Sequence, residues 1–525
     1  MATHSPLLDA HPAGEPSAGL AQASGAWPLD TPGGRYYAEW DDDVPVTREG
    51  QLIFFMQFLR AGGLWTQLLE DCPLAYRGNR GSGADAVLGT LLLSILNGHF
   101  RYAHINAVRG DGVNPGLLGL PRTVSEDTVR HAARRLALEG GPAWVQRHLI
   151  EHLLPALSQP WILDVDSTIK PIYGHQEGAQ IGYNPGKPGR PSHVYHSYFV
   201  ANLRLCLGVE VTPGKQHAGV WGMAGLWERL DAMPRSCWPA FVRGDCSYGS
   251  EKILTECEQR GLPYLFKLRQ TARVRDLVVW AMHQGERWHD CGDGWQAMET
   301  PLKLKGWSQA RRVILVREAA AHAPVGPRRR RDRQEPLPHL ELEQQAAPWS
   351  GKIAVLVSSL PQPHWPLEAM PRQYRERADA ENNYDELKNQ WGWNGYTSQH
   401  LGASAMMANL VGLVYNWWSL YVRFYDEEHH REAIRCRPML MAGVGRQVRS
   451  GGQRTVKVSI LYEKGRLIAQ AVEQISNELQ RFISITERWD RRARWSTLLT
   501  RLLRAYLGGK WLPGVPPQAA LLLSG

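Results

Sequence analysis

"WILDVDST", from Trp161 to Thr168, decides the fold. Three apolar residues lead into a strict alternation of acid and small residue. Extended chain sends successive side chains to opposite faces, so Asp164 and Asp166 share one side of a strand, with Val165 on the other. Downstream, "HVYHSYFVANLRLCLGVEVTPG" (His193 to Gly214) reads as two more strands joined near Asn202. "VWGMAGLWERLDAM" is helical. "WPAFVRGDCSYG" is a strand that ends on an acid, Asp245. "SEKILTECEQRG" is a helix closed by Gly261, and "YLFKLR" is a strand. Three strands, helix, strand, helix, strand predicts an α/β or α+β domain of mixed strands with interleaved helices.

Upstream of Trp161 the pattern is helical. "GQLIFFMQFLRAGGLW", "ADAVLGTLLLSILNG" and "SEDTVRHAARRLALEG" are separated by Gly and Pro breaks. Thr123 with Glu126 is expected to cap the last of these as a capping box. Arg130, Arg134 and Arg135 give that helix a cationic side, which suits either DNA or plain packing. Residues 1–34 are rich in Ala, Gly, Pro and Ser without periodicity and read as a loose arm. Beyond the core strands, "WHDCGDGWQAMETPLKLKGW" and "RRVILVREA" look like hairpin material within an insertion over 270–350, which also carries the cationic run Arg328 to Arg331. "KIAVLVSSL" then resumes a buried strand. The uncharged run "ASAMMANLVGLVYNWWSLYV" has the length of a membrane span, but Asn409, Asn416 and small residues interrupt it, so it is expected to be a buried core helix. The chain after Arg423 reads as helical and Arg-rich.

Composition narrows the function. The 525 residues are 43% hydrophobic and 21% charged, as in globular proteins, and the net charge of +9 (pI about 9.2) favours a polyanionic partner, most simply nucleic acid. Seven Cys with no C-x-x-C pair argue against a zinc ribbon or a disulfide framework, and a reducing cytoplasm is the expected location. No Lys or Arg precedes Arg35 and no apolar run follows the start, so no signal peptide is expected.

The second decisive stretch is "YRERADAENNYDELK", Tyr374 to Lys388. On one continuous helix Tyr374, Arg377, Glu381 and Lys388 fall within roughly a 60° arc. A bland solvated helix with i,i+4 charge pairs explains the same spacing. Asp166, Asp245 and Glu381 are three acids at ends or centres of core elements. A buried carboxylate is costly unless paired or bound to metal, and hard oxygen donors suit Mg²⁺ or Mn²⁺. Taken singly, each acid reads as an ion pair or a cap; two at the ends of apolar strands with a third on a helix are what point to a shared site.

Taken in order, these residues resemble the DDE transposases of bacterial insertion sequences. The resemblance is to the IS-four-like group marked by a Y-x2-R-x3-E-x6-K signature, which Tyr374, Arg377, Glu381 and Lys388 fit without a gap. "DST" (Asp166 to Thr168) fits that group's first acid and "RGDCSYG" its second. The resemblance covers roughly 160–425. It implies an RNase H-like catalytic core with a β-rich insertion before the Glu helix. It implies catalysis by Asp166, Asp245 and Glu381 holding two Mg²⁺ (or Mn²⁺) ions per active site. It also implies cut-and-paste chemistry on terminal inverted repeats and target DNA, by a homodimer in a synaptic complex.

On that basis the chain divides into an arm (1–34), a helical DNA-end-binding region (35–158) and core segments 159–269 and 351–425 around the insertion. A helical C-terminal region (426–525), open to dimerisation, completes it. Tyr374, Arg377 and Lys388 are candidate DNA contacts beside Glu381. Lys187 and Arg190, in the Pro- and Gly-broken loop "NPGKPGRPSH", are two more. His193 and His196 read as hydrogen-bonded strand residues and not as zinc ligands. Asp164 competes with Asp166 for the first acid, and only Asp166 fits D-x-T. Two other functions stay open: a DNA-binding protein of this fold without catalysis, and a glycoside hydrolase using two of the acids.

Overall fold

The computed structural model describes residues 27–41, 43–74, 83–319 and 352–523. The arm expected over 1–34 ends differently, because Trp27–Thr31 (β1) and Gly34–Ala38 (β2) form an antiparallel hairpin. Thr-Pro-Gly-Gly supplies its turn, with Gly34 at φ +107. The rest of the arm and Arg328 to Arg331 lie outside the described residues.

The sheet begins with β4 (Ile162–Pro171), β5 (Gln180–Ile181), β6 (Pro191–Val200) and β7 (Leu205–Pro213). It continues with β8 (Phe241–Gly244), β9 (Tyr264–Lys267), β10 (His289–Asp290), β11 (Trp295–Leu302), β12 (Arg311–Glu318) and β13 (Ala354–Ser358). Its order is β10-β11-β12-β13-β9-β8-β4-β6, with β5 and β7 both on the outer side of β6. β4 runs parallel to β8, and β8 to β9; the other pairings are antiparallel. This central order, three antiparallel strands followed by two parallel ones, is consistent with the expected RNase H-like core. The helices Ala218–Asp231 and Glu251–Gln259 make the crossovers that parallel pairing requires.

The insertion differs from expectation. It opens with a helix, Ala272–Met282, and its strands do not stand apart: β11 and β12 join the main sheet through β13. Burial explains this, since Val313 and Leu315 pack into one apolar cluster and Ile314 and Val316 into another, so both faces of β12 are covered.

The Leu401–Val422 helix is buried along its length, as expected, and no single described helix is long and apolar enough to cross a membrane. Its two interrupting amides have a definite task. Asn409 accepts from Val209 N at 3.0 Å and donates to Val209 O at 2.8 Å. Asn416 does the same with Cys206, at 2.8 and 2.7 Å. The outer edge of β7 is thus paired by side chains in place of a further strand.

The N-terminal helix Leu52–Gly62 packs against the same Leu401–Val422 helix and against Gly465–Thr486 and Arg491–Leu502. Phe55 and Phe58 meet Trp418, Tyr421 and Trp495, and Gln57 exchanges hydrogen bonds with Ser476. The expected N- and C-terminal helical regions therefore share one core. The C-terminal region is not wholly helical: Val444–Ser450 (β14) and Gln453–Ser459 (β15) form a hairpin that pairs with Val46–Thr47 (β3). At the third N-terminal helix the cap is Ser125 and not Thr123, with Ser125 Oγ accepting from Thr128 N at 3.3 Å. Ser125 directly precedes the first helical residue, where a hydroxyl reaches an orphan N–H.

Candidate active site

One face of β4 organises the site. Asp164, Asp166, Thr168 and Lys170 alternate along it, and each is engaged by a different element.

Asp164 faces β8. The parallel register sets it beside Arg243, whose Nε and Nη2 reach its two oxygens at 2.6 and 2.8 Å, with both side chains almost fully buried. Arg243 also donates to the Gln373 carbonyl, and Glu376 lies 4.0 Å away. Asp164 is thereby committed to a structural ion pair, which separates it from Asp166.

Asp166 stands one step further along. The register pairs Val165 with Gly244, and β8 ends there. Asp245, just past the end of β8, therefore falls beside Asp166 in the middle of β4. Its loop is fixed by Ser247 N donating to Asp245 Oδ1 at 2.9 Å. Gly244 is required at the strand end, since a Cβ would come within 2.7 Å of the Tyr248 ring. Asp166 Oδ1 accepts from Ser167 N at 2.7 Å, and Oδ2 accepts from Arg377 Nη2 at 2.7 Å. Burial pushes the Asp166 carboxyl up to about 6; Arg377 opposes this, while the charges of Asp245 and Glu381 add to it.

The expected single helix from Tyr374 to Lys388 is broken. One helix covers Met370–Arg375 and another Ala378–Gln390, so Tyr374 and Glu381 sit on different segments with Arg377 at the junction. The break lies where Arg243 grips the Gln373 carbonyl, and it turns Arg377 inward to Asp166. Burial disfavours the Arg377 charge, yet Asp166, Tyr374 and Asp245 outweigh it and hold the guanidinium protonated. Tyr374 is half-buried, and burial lifts its hydroxyl to about 12, with Asp245 and Asp166 near enough to contribute.

Glu381 is 73% exposed, and its Oε1 lies 3.9 Å from Arg377 Nη1. Arg377 thus stands between Glu381 and Asp166. Among the described residues no three His, Cys, Asp or Glu side chains are gathered closely enough to hold a metal ion. Of the three acids expected together, Asp166 and Asp245 adjoin, while Glu381 acts on Asp166 across a cation. The donors are all carboxylate oxygens, the chemistry that Mg²⁺ or Mn²⁺ takes.

Lys388 donates to Thr168 Oγ1 on the same face of β4, and burial lowers its pKa against the pull of Asp385 and Asp166. At the far end Lys170 is buried, brought down to about 7 by that burial, and donates to Gly395 O at 2.5 Å and Tyr195 OH at 3.2 Å. Lys187 and Arg190 are exposed and gather over the ring of Tyr173, 5.0 and 4.9 Å from its centroid, and not on the acids. His193 and His196 are hydrogen-bonded to Glu177 O and Thr212 Oγ1 at 2.9 Å each.

A cleft of about 560 Å³ opens beside Asp245, lined by Ser167, Tyr183, Lys215, His217 and Arg269. The sequence reading missed three residues of this neighbourhood. Arg243 fixes the helix break. Tyr384 and Tyr248 are buried, and the charge of Asp166 helps hold both hydroxyls protonated after burial itself. Tyr384 sits three residues from Glu381 and Tyr248 lies within "DCSYG", so their positions were a usable signal.

A mixed sheet with two acids side by side on adjacent parallel strands, and a third on a later helix bearing cations, is the outline of a class of nucleic-acid enzymes. Residues 120–479 match the family model "Transposase DDE domain group 1", and the chain belongs to that family. Members of this class cut and join DNA. No curated protein matches the chain in sequence. Among solved structures, a cryo-EM structure of the piggyBac transposase synaptic complex with hairpin DNA is similar at 12% identity. That match has a TM-score of 0.36 and covers 91% of this chain and 90% of that one.

Proposed function

We propose that the chain is a transposase of the Y-R-E-K group that cuts its own element ends and transfers the 3′-OH into target DNA. The observation that carries this is the register of β4 and β8, which sets Asp166 and Asp245 side by side within a matched DDE domain. Asp166, Asp245 and Glu381 would hold Mg²⁺ or Mn²⁺, two ions per site, which when bound supply activation of the attacking oxygen and neutralisation of the leaving one. Arg377 and Lys388 flank the acids and suit the positioning of backbone phosphates around the scissile bond. Tyr374, beside Arg377, is placed to bond a phosphate or stack on a displaced base. Lys187 and Arg190, both over the Tyr173 ring, would grip DNA away from the acids. We further propose a homodimer acting on terminal inverted repeats in the cytoplasm.

One observation favours a second reading. Glu381 is exposed and held from Asp166 by Arg377, as in a protein that binds DNA without cutting it. The glycoside hydrolase reading falls with the family match. The deciding test mixes the protein with a plasmid carrying the DNA that flanks its gene, with Mg²⁺, Mn²⁺ or chelator. Breaks at element ends that require metal and vanish in Asp166→Asn, Asp245→Asn and Glu381→Gln are expected. Tight end binding without breaks would favour the second reading, and cleavage by any of the three variants would undo the triad.

A further inference from the structure

We propose that the β14–β15 hairpin is a second DNA-binding element, a ribbon that enters a groove of duplex DNA apart from the acid cleft. The inference rests on the reading that the chain acts on DNA. From Val444 to Ser459 the sequence is "VGRQVRSGGQRTVKVS", with four cations and no acid. The antiparallel register sets Arg446 opposite Lys457 and Arg449 opposite Arg454. Like charges directly opposite each other destabilise a strand pair, and this hairpin has two such pairs. A polyanion relieves both.

The alternation of a strand then distributes them. Arg446 and Lys457 lie on one face of the ribbon, and Arg449 and Arg454 on the other. A solvated hairpin resting on a protein surface would be cationic on its outer face alone. Cations on both faces fit a ribbon between two phosphate ridges, and the major groove admits two strands. All four side chains are exposed. Among the described residues the only ion pair to any of them is Arg446 to Asp41, at 3.9 Å between exposed partners, an interaction of little worth. Gly451 and Gly452 make the tip, with φ of +57 and +79 and no neighbour within 4 Å of a Cβ at either, so the tip is narrow.

The base is firm. β14 pairs with β3 through Gly445 and Arg446, and Gly50 N donates to Gly443 O at 2.7 Å. A Cβ on Gly445 would come within 2.7 Å of Thr47 and 2.9 Å of the Gly50 backbone, so close packing anchors the ribbon. A rigid arm loses little freedom on binding. No hairpin residue lines the cleft beside Asp245.

The test is duplex binding by fluorescence anisotropy over 50 to 300 mM salt, on DNA carrying the element end. The proteins are the full chain, a charge-free variant (R446Q, R449Q, R454Q and K457Q together), each cross-strand pair changed alone, and an all-lysine variant. Each neutralised phosphate contributes about 0.9 to the slope of log affinity against log salt, so removing four cations from the backbone lowers it by about 3.6. The expected result is that drop in the charge-free variant, about half of it in each pair variant, and none in the all-lysine one. Melting temperatures should hold or rise, because each glutamine pair removes a repulsion. A charge-free variant that keeps its fold and the parent's slope overturns the proposal, and so does a drop equally large in the all-lysine variant. Should the charge-free variant unfold, the pair variants decide by the same criterion. If the parent chain itself binds no duplex, it is the DNA reading beneath that fails.

Discussion

Asp164→Asn should destabilise the protein severely while leaving the chemistry of the acid cleft in place. Asp164 and Arg243 are joined by two charge-assisted bonds of 2.6 and 2.8 Å, with side chains only 3% and 2% exposed. Asparagine keeps the shape but turns an NH₂ group toward the guanidinium, so one bond is lost and a buried cation goes uncompensated. Breaking such a pair from one side costs about 3–5 kcal/mol. That is a large part of the roughly 5–15 kcal/mol that holds a typical protein folded. Arg243→Met should cost a similar amount from the other side. Asp164→Leu with Arg243→Met removes both charges and should recover most of it, losing chiefly the bond to the Gln373 carbonyl. With Asp164→Leu as the single variant that closes the cycle, at a cost like that of Asp164→Asn, the coupling energy should then be roughly 4–9 kcal/mol. A chain of this size need not unfold in one step, so the readout is the urea midpoint of the transition seen by core Trp fluorescence, compared across the cycle. In parallel, Asp164→Asn should retain partial end cleavage at low temperature where Asp166→Asn has none. A midpoint unchanged in both single variants, or additive loss in the double, would refute the buried-pair argument. Complete loss of cleavage in well-folded Asp164→Asn, with a tolerant Asp166, would move the first acid by two positions.

Other expectations follow from the same geometry. Lys388→Ala should weaken end binding and lower its salt slope by about 0.9, read by anisotropy; an unchanged slope would leave Lys388 as a tie to Thr168 alone. Divalent-ion affinity, measured by calorimetry, should climb with pH to about 6 and then level, because the raised Asp166 carboxyl is protonated below that value and protons compete with metal. The sign is consistent with linkage: a carboxyl whose folded pKa exceeds its unfolded one lowers stability as pH rises between those two values. Asn416→Ala should cost about 2–6 kcal/mol, since it orphans the buried N–H and C=O of Cys206 at about 1–3 kcal/mol each. An unchanged melting temperature would show that the edge is paired some other way.

Much of this was legible in the sequence, for reasons that can be named. Short runs rich in Val, Tyr, Phe and Leu marked β4 and β6 to β9, because strands covered on both faces are apolar nearly throughout, whereas the two residues of β5 left no such mark. The site residues were visible as acids placed at ends of apolar runs. The helix break at Arg377 was not, because no Gly or Pro marks it; the cause is Arg243, more than a hundred residues away. Glu381 was read as facing Arg377 along one helix, which the 3.9 Å approach supports, but its exposure depends on where the second helix starts. The hairpin at β14–β15 carries Gly451-Gly452 between alternating residues, a turn signal hidden by the Arg-rich helical surroundings. The joining of β11 and β12 to the main sheet is a tertiary choice that strand patterns leave open.

The amides of Asn409 and Asn416 give the molecule a direction of growth. A sheet can be lengthened only where its last strand still offers unpaired backbone, and β7 offers little once one helix has claimed the outward groups of Cys206 and Val209. The opposite margin, past β9, has no such seal, and β13, β12, β11 and β10 are all stacked there. The sheet therefore extends on one side only, which leaves the acids at β4 and β8 toward its closed end. Kin of this chain that differ in length should differ in the strands beyond β9, while the packing of β7 against the Leu401–Val422 helix is kept.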